Sequence, residues 1–218
     1  MIKNSFSCKG LFRRKSSCAF VIGITGGMGA GKTTFAKAMA KCGAHLLDVD
    51  TLAHGLVDSS PEIKSAIKST FGPQFFDEQD RLNREKLGAL VFSDPSLLNA
   101  LNEIIWPSLT QLIQDRVREF SCSRVPLVLD MAVLYETGCH TLCDYVIAID
   151  APMEMRVERL MHSRNWTKEE AEKRIQSQKR ILENIQKADQ IIWNVGSLEA
   201  LEQKAKEIYS ELVKSFSE

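Results

Sequence analysis

Five short apolar runs recur along the chain, and longer polar stretches rich in helix-forming residues separate them. The runs are Ala19–Ile24, Ala44–Leu47, Val125–Leu129, Tyr145–Ile149 and Gln190–Trp193. Apolar runs of this length without polar alternation are typical of parallel strands that are buried on both faces. We therefore predict an α/β fold, in which helices cover both sides of a doubly wound, five-stranded parallel sheet.

The segment after the first apolar run carries the most specific motif in the chain. The phosphate-binding loop pattern G-x-x-x-x-G-K-[ST] is matched by Gly26, Gly31, Lys32 and Thr33. Glycines let backbone N–H groups converge on phosphate oxygens, the Lys32 ammonium reaches the β- and γ-phosphates, and the Thr33 hydroxyl can ligate Mg²⁺. A Gly-rich turn without a nucleotide is the alternative, which the buried strand before the loop and the helix after it disfavour. The predicted ATP-binding residues are Gly26, Gly27, Gly29, Ala30, Gly31, Lys32, Thr33 and Thr34.

Polar residues stand at the carboxyl ends of the predicted strands, where open α/β sheets form their sites. These residues are Thr25, Asp50, Asp130 and Asn194. Asp48 and Asp50 both follow the second strand, and the period of two along an extended chain predicts that they share one side. One of them can instead cap a helix that begins near Thr51, because a carboxylate accepts from the free N–H groups of a first turn. Capping and catalysis are compatible, so both roles stay open for this pair.

Residues 51–120 contain no further strand pattern and predict a helical insertion. A helix that starts near Pro95 and ends at Phe120 is expected to break or kink at Trp106, because a residue before proline disfavours α geometry. The block is too long for a simple crossover between strands. We therefore interpret it as an insertion that shapes the pocket for an acceptor.

A second helical stretch, between the fourth and fifth strands, is rich in arginine. Its arginines are Arg156, Arg159, Arg164, Arg174 and Arg180. Thr167 and Glu170 form the pattern of a capping box at the start of a helix over Lys168–Gln178. Such spacing also fits an ordinary solvated helix face. After a phosphate-binding loop it favours a lid, residues 153–180, that brings guanidinium groups over the transferred phosphate and excludes water.

Composition and charge narrow the classes of function. The 218 residues carry 28 basic and 28 acidic side chains, so the net charge is zero, which argues against a surface that binds nucleic acid or anionic membrane over the whole protein. The sequence lacks an apolar run of the roughly 18 residues that a membrane span needs. Six scattered cysteines suit reduced thiols, and the spacing around Cys139, His140 and Cys143 does not match a zinc site. We predict a cytoplasmic monomer or small homo-oligomer without nucleic-acid or membrane partners.

The first 18 residues are basic and contain no acidic side chain. The apolar run that follows is too short for a signal peptide, whereas an organelle transit peptide remains an alternative. We interpret residues 1–18 as a disordered leader and residues 19–218 as the kinase domain that carries the phosphate-binding loop.

Five segments follow one another from Val21 onward: ITGGMGAGKTT, LLDVDTLAHGL, LVLDMAVLYETG, RLMHSRNWTKEEAEKRIQSQ and ADQIIWNVGS. In this order and spacing they resemble the dephospho-CoA kinases, which phosphorylate the ribose 3′-hydroxyl of dephospho-CoA in the last step of coenzyme A synthesis. The first segment alone would fit many ATPases, whereas the five together are specific. The resemblance implies a P-loop NTPase fold, ATP and Mg²⁺ as cofactors, and dephospho-CoA as the substrate.

The resemblance also implies roles for single residues. Asp50 is the expected general base, Thr33 a ligand of Mg²⁺, and Asn194 a neighbour of the adenine ring of ATP. Lys32 is expected to meet the phosphates. Asp48 is left to orient water bound to Mg²⁺ or to cap the following helix, so we include it among the metal-site residues.

Three positions depart from the pattern of the family. Trp106 stands where the family usually has histidine, and Ala132 replaces a proline of the third segment. The lid of the family often spaces two arginines four residues apart. Here Ser163 takes the second of these positions and Arg164 follows it. The phosphate contact is therefore assigned to Arg159, Arg164 or both.

Two other functions remain open at this stage. A different P-loop kinase of small molecules or nucleotides would explain the loop, the insertion and the lid, but not the third and fifth segments together. A nucleotide-dependent regulatory protein is the second alternative. A GTPase would need a guanine-reading N-K-x-D after a late strand, where this chain has Ile147-Ala148-Ile149-Asp150-Ala151-Pro152.

Overall fold

Five parallel strands form the centre of the structure, a computed structural model that describes residues 20–120 and 123–217. β1 (Val21–Thr25) is flanked by β3 (Leu127–Asp130) and then β2 (His45–Asp48) on one side. On its other side lie β4 (Tyr145–Asp150) and then β5 (Gln190–Trp193). Every neighbouring pair is parallel. The predicted five-stranded parallel sheet is confirmed, and the predicted leader over residues 1–18 lies outside the described residues.

The helices of the described chain alternate with the strands. They are α1 (Lys32–Lys41), α2 (Val49–Ser59), α3 (Pro61–Phe71), α4 (Arg84–Val91), α5 (Pro95–Glu119), α6 (Met153–Arg164), α7 (Lys168–Gln176), α8 (Lys179–Asn184) and α9 (Leu198–Ser217). Short 3₁₀ turns occur at Pro73–Phe75, Cys139–Leu142 and Ile185–Lys187. None of the described helices is long and apolar enough to span a membrane.

Helices cover both faces of the sheet, each with its own hydrophobic core. On one face, Phe35 of α1 and Ile208 of α9 pack among apolar side chains of β1 and β4. On the other face, Ile113 of α5 and Val49 of α2 pack with Leu129 of β3. Burying apolar surface on both faces explains why these strands contain almost no polar position until they end. The doubly wound arrangement is therefore confirmed.

Aspartates close the amino edge of the sheet. Asp144 Oδ2 accepts from the Val21 N–H at 2.8 Å, and Asp189 Oδ2 accepts from the Val146 N–H at the same 2.8 Å. Each carboxylate precedes one strand and accepts from an N–H near the start of the neighbouring strand, which would otherwise be unpaired. The polar residues at the opposite, carboxyl edge take no part in these bonds.

The helices between β2 and β3 form a layer with a core of their own. Ile67 and Phe71 of α3 pack against Leu87 and Val91 of α4. Of the expected break or kink at Trp106, the break is wrong, because α5 runs without interruption from Pro95 to Glu119 with a proline inside it, and the kink stays a prediction. The buried Leu109 and Ile113 of α5 hold the second half of this helix against its neighbours. Tertiary packing therefore outweighs the local cost of the proline.

The arginine-rich stretch forms α6, α7 and α8. Val157 and Leu160 of α6 pack against Ala171 and Ile175 of α7. The capping box is confirmed: Thr167 Oγ1 accepts from the N–H of Glu170 at 3.2 Å, and the Glu170 carboxylate accepts from the N–H of Thr167 at 3.0 Å. The predicted helix over Lys168–Gln178 ends two residues earlier, at Gln176.

Candidate active site

The phosphate-binding loop connects β1 to α1 at the carboxyl edge of the sheet. Gly26, Gly29 and Gly31 have φ values of 146°, 76° and 100°, which only glycine adopts at low cost. A Cβ on Gly26 would also overlap the carbonyl oxygen of Ile149. α1 begins at Lys32, as the motif predicts. The loop therefore presents the N-terminal end of a helix to the edge where the strands end, which favours an anion.

Lys32 forms a buried ion pair inside this site. Its Nζ lies 2.7 Å from Asp130 Oδ1, and the two residues are only 9% and 2% exposed. Asp130 is the last residue of β3, the strand next to β1. A carboxylate at this position of a P-loop protein is a candidate ligand of Mg²⁺. In the sequence, Asp130 is one of the polar residues at the carboxyl ends of the strands, but no motif there indicates its role.

Asp48 and Asp50 do not share one side of an extended chain, so that expectation is wrong. β2 ends at Asp48 and α2 begins at Val49, two residues before the expected start. Asp48 Oδ1 accepts from the N–H of Thr51 at 3.0 Å and thus caps α2. Asp50 lies in the first turn and is exposed. The cap starts the helix early because it satisfies a donor that the first turn would leave unpaired.

Asp48 and Asp130 stand opposite each other at the ends of the neighbouring strands β2 and β3. Asp48 is the register partner of Asp130 in the parallel pair, and side chains at paired positions of neighbouring strands project to the same face. Thr33 follows Lys32 in α1 and is half-buried. Hydroxyl and carboxylate oxygens are the donors that Mg²⁺ prefers. The donor set formed by Thr33, Asp48 and Asp130 therefore fits a Mg²⁺ ion.

The two candidate arginines of the lid differ in their surroundings. Arg159 donates from Nη1 to the carbonyl of Gly29 at 3.3 Å and from Nη2 to the carbonyl of Asn194 at 3.1 Å. It therefore links the loop to the end of β5. Arg164 ends α6 and is exposed, and it makes no hydrogen bond or ion pair within the described chain. Of these two candidates, Arg159 reaches the phosphate-binding loop and Arg164 does not.

Asn194 supports the loop from the end of β5. It is 6% exposed, and its Nδ2 donates to the carbonyl of Ala30 at 2.8 Å. Its own N–H donates to the carbonyl of Asp150 at 2.7 Å. The side chain also occupies the space that a Cβ on Gly31 would need. These contacts give Asn194 a role in holding the loop, while its expected place beside the adenine stays a prediction.

Two further residues contact the loop, although the sequence indicated no contact with the loop for either of them. Gln178 accepts from the N–H of Met28 at 2.7 Å through its side-chain oxygen. Arg156 donates from Nε to the carbonyl of Met28 at 2.8 Å. The same peptide region is thus held from the lid through both its donor and its acceptor. Arg156 lies one helical turn before Arg159, and only that spacing could have pointed to it.

A stacked arginine joins the lid to the helical insertion. The guanidinium of Arg174 in α7 lies 5.1 Å from the ring centre of Phe92 and 4.1 Å from that of Trp166. Phe92 directly follows α4, whereas Trp166 lies between α6 and α7. Cations over aromatic faces at such distances attract the ring electrostatically. This contact connects the two helical regions beside the carboxyl edge.

Cysteines near the third strand form no metal site within the described residues. Cys42, Cys139 and Cys143 are free thiols, and no cluster of three or more His, Cys, Asp or Glu side chains that could hold a metal ion occurs in residues 20–120 and 123–217. Burial raises the pKa of the Cys139 and Cys143 thiols, so both stay protonated at neutral pH. Cys139 and Cys143 are therefore buried thiols of low reactivity.

Sequence comparison identifies relatives of known function. The profile of the family described as Dephospho-CoA kinase matches residues 20–200. The dephospho-CoA kinase of Latilactobacillus sakei is 35% identical over 190 residues, which cover 87% of this chain and 94% of the relative. That of Bacillus licheniformis is 36% identical over 183 residues, which cover 84% of this chain and 91% of the relative.

Solved structures share the fold. A Thermus thermophilus protein superimposes with a TM-score of 0.72 at 31% identity, covering 89% of this chain and 98% of its own. The dephospho-CoA kinase from Campylobacter jejuni gives a TM-score of 0.66 at 23% identity, with coverages of 89% and 98%. Shikimate kinase from Acinetobacter baumannii gives 0.55 at 15% identity, with coverages of 91% and 96%. At the two lower identities the likeness concerns the fold alone.

Proposed function

The chain belongs to the dephospho-CoA kinase family, and we propose that it transfers the γ-phosphoryl group of ATP, with Mg²⁺, to the ribose 3′-hydroxyl of dephospho-CoA. The main support is the match to that family over residues 20–200. Contacts within the chain agree with it, because Lys32, Arg159 and Asn194 all meet at the phosphate-binding loop. This reaction is the last step of coenzyme A biosynthesis.

We propose that the loop and Lys32 hold the nucleotide. Residues Gly26–Thr34 present backbone N–H groups to the α- and β-phosphates, and the α1 helix adds its positive end. Lys32 would exchange its partner from Asp130 to the β- and γ-phosphates. A buried lysine that already has an anionic partner is prepared for this exchange, because a phosphate oxygen replaces the carboxylate oxygen at its ammonium group. The Mg²⁺ proposed beside Asp130 would then compensate the charge of that buried carboxylate.

The oxygen donors Thr33, Asp48 and Asp130 would hold Mg²⁺. Register pairing of Asp48 with Asp130 supports this set. When bound there, Mg²⁺ would supply positive charge against the oxygens of the transferred group. Thr33 and Asp48 were predicted from the sequence, and the structure adds Asp130 to them.

We propose Asp50 as the general base and Arg159 as the phosphate contact of the lid. Asp50 is exposed in the first turn of α2, the first helix of the insertion that we expect to bind the acceptor. There its carboxylate can accept the proton of an incoming hydroxyl. Arg159 already contacts the loop backbone at Gly29, so a small change of its side chain would bring the guanidinium to a phosphate oxygen.

We further propose that the reaction takes place in the cytoplasm. Free thiols at Cys42, Cys139 and Cys143 suit a reducing compartment. A net charge of zero gives no reason to expect a nucleic-acid partner. We expect a monomer or a small homo-oligomer.

Acceptor selectivity tests the proposed reaction. ADP release with ATP and Mg²⁺ is measured with dephospho-CoA, adenosine, nucleoside monophosphates and shikimate at equal concentrations. We expect dephospho-CoA to give the highest kcat/KM, by about 100-fold or more, because buried site groups reject acceptors that leave them unpaired. Faster turnover of shikimate or of a nucleoside monophosphate would assign the chain to another kinase activity. A rate of ADP release that does not change when any of these acceptors is added would favour a nucleotide-dependent regulatory protein.

A further inference from the structure

Arg156 is a buried arginine that none of the roles above uses. It lies in the first turns of α6, and only 3% of its surface is exposed. Its Nε donates to the carbonyl of Met28 in the phosphate-binding loop at 2.8 Å. Burying a guanidinium is costly unless its charge and its donors find partners. Arg156 is therefore not one of the solvent-exposed arginines that an ordinary helix face carries.

One nitrogen of this guanidinium points at the loop without a partner. Nη2 of Arg156 is buried and has no acceptor within the described chain. A Cβ on Gly27 would overlap this same atom. Gly27 is not among the glycines with positive φ, so its backbone could accept a side chain. The glycine is needed here because the guanidinium occupies the space where a side chain would begin.

The charge of Arg156 is only loosely neutralised. Asp150 Oδ1 lies 3.8 Å from Nη1, which is too far for a hydrogen bond. That oxygen also accepts from the N–H of Ala151 at 2.8 Å. Lys32, in contrast, is paired directly with Asp130 at 2.7 Å. Burial lowers the pKa of Arg156 and Asp150 opposes that shift, yet an arginine stays protonated at neutral pH.

We propose that Arg156 is a positioning residue of the nucleotide site. Its guanidinium holds the Met28–Gly29 peptide through the Met28 carbonyl, packs against Gly27, and keeps a positive charge behind the amides that receive the phosphates. Its ligand class is a nucleoside di- or triphosphate, so this inference rests on the proposed function of the loop. Arg159 and Gln178 hold the neighbouring parts of the loop, but neither supplies charge at Gly27.

The substitution Arg156→Gln separates charge from local structure. The glutamine amide nitrogen reaches the place of Nε and can still donate to the Met28 carbonyl, while both Nη groups and the charge are removed. We expect the Kd for ADP, measured by calorimetry, to rise about tenfold or more, because the variant loses the buried positive charge behind the amides that receive the phosphates. The KM for ATP should rise in parallel. The KM for dephospho-CoA should stay within about twofold, because the acceptor does not meet this side chain.

Two substitutions serve as controls. Arg124→Gln removes the same charge from an exposed residue before β3, at the opposite edge of the sheet, and should leave the Kd for ADP unchanged. Arg156→Lys keeps the charge but not the fork of donors, so we expect a loss of about threefold.

A double-mutant cycle with Gly27 tests the contact itself. Gly27→Ala should weaken ADP binding in the wild-type chain, because the methyl group displaces the guanidinium. It should add little in the Arg156→Gln background, where the guanidinium is gone. ADP binding needs no acceptor, so these results remain decisive even if the acceptor proves to be another molecule.

A purely structural role for Arg156 predicts a different set of results. The variants would then lower the midpoint of thermal unfolding while their folded forms keep a Kd for ADP within about twofold of wild type. That result overturns the proposal. If Arg156→Gln does not fold, Arg156→Lys and Gly27→Ala decide in the same way, since unchanged ADP affinity in both contradicts the proposal.

Discussion

At the scale of single residues, the reaction depends on which carboxylate can meet the hydroxyl of the acceptor. Asp48 is occupied, because it caps α2 through the N–H of Thr51 and stands beside Asp130 in the sheet. Asp50 lies in the first turn of α2. Its side chain is exposed and forms no hydrogen bond or ion pair with other described residues. A base needs an open lone pair that the substrate can reach. Asp50 satisfies that condition and Asp48 does so less well.

Replacing Asp50 by asparagine tests this assignment. Asp50→Asn keeps the shape of the side chain and removes the base, so we expect kcat with dephospho-CoA to fall by about 10²–10⁴. The KM for ATP should hardly change, because the carboxylate faces the acceptor. Steady-state kinetics with each substrate varied in turn measure both effects.

Asp48→Asn is the matched comparison. Asparagine caps a helix about as well as aspartate, so the variant should fold normally, and the loss of one oxygen anion should appear mainly in the dependence on Mg²⁺. If Asp50→Asn turned over normally while Asp48→Asn were inactive, the base would be assigned to the wrong residue.

The phosphate-binding loop was the most predictable part of the site. Gly26–Thr34 could be identified because their spacing along the chain is itself the pattern. Asp130 was visible among the polar strand ends, but its ion pair with Lys32, 98 residues away, was not predicted. Arg156 and Gln178 form hydrogen bonds with Met28 across 128 and 150 residues, and contacts over such distances leave no local pattern. The alternation of Asp48 and Asp50 was wrong because a side-chain cap started α2 at Val49.

At the scale of elements, α6 determines which of the two candidate arginines of the lid reaches the phosphate-binding loop. Arg159 projects from the middle of this helix onto the loop and the end of β5. Arg164 is its last residue and is followed by Asn165 in the left-handed conformation with φ 57°, which ends the helix. The displacement of one residue from Ser163 to Arg164 therefore moves the second arginine to the exposed end of the lid helix.

Alanine substitutions in α6 should separate the two arginines. Arg159→Ala should lower kcat/KM by more than about threefold, the least expected from the loss of a charge contact to phosphate. Arg164→Ala should stay within that limit. If kcat/KM of both variants stayed within about threefold of wild type, neither arginine would contact the phosphate. If only Arg164→Ala lost more than about threefold, the contact would belong to Arg164. Steady-state turnover of dephospho-CoA provides the comparison.

Elements as a whole were more predictable than their ends. The strands and the capping box of α7 follow from apolar runs and from one local pattern. The continuity of α5 through Pro107 did not follow, because the buried Leu109 and Ile113 stabilise the helix through contacts with distant residues. Local preference is a weak guide wherever packing of this kind opposes it.

At the scale of the whole molecule, strand order brings the chemistry to one edge. β1 lies between β3 and β4, so the loop, Asp130 and the end of β4 meet at the point where the order of strands reverses. Ligands of open α/β sheets bind at such a point. Helix α2 follows β2, whereas the lid helix α6 follows β4, so the proposed acceptor-binding insertion and the lid leave the sheet on opposite sides of β1.

The position of the new phosphate ester tests the proposed reaction most directly. The 218-residue chain is incubated with ATP, Mg²⁺ and dephospho-CoA, and the product is examined by proton–phosphorus correlation NMR. We predict a new phosphomonoester whose phosphorus correlates with the H3′ proton of the ribose, formed together with an equal amount of ADP. An ester on another hydroxyl, or ADP without any new ester, would contradict the assignment of this chain as a kinase of the ribose 3′-hydroxyl of dephospho-CoA.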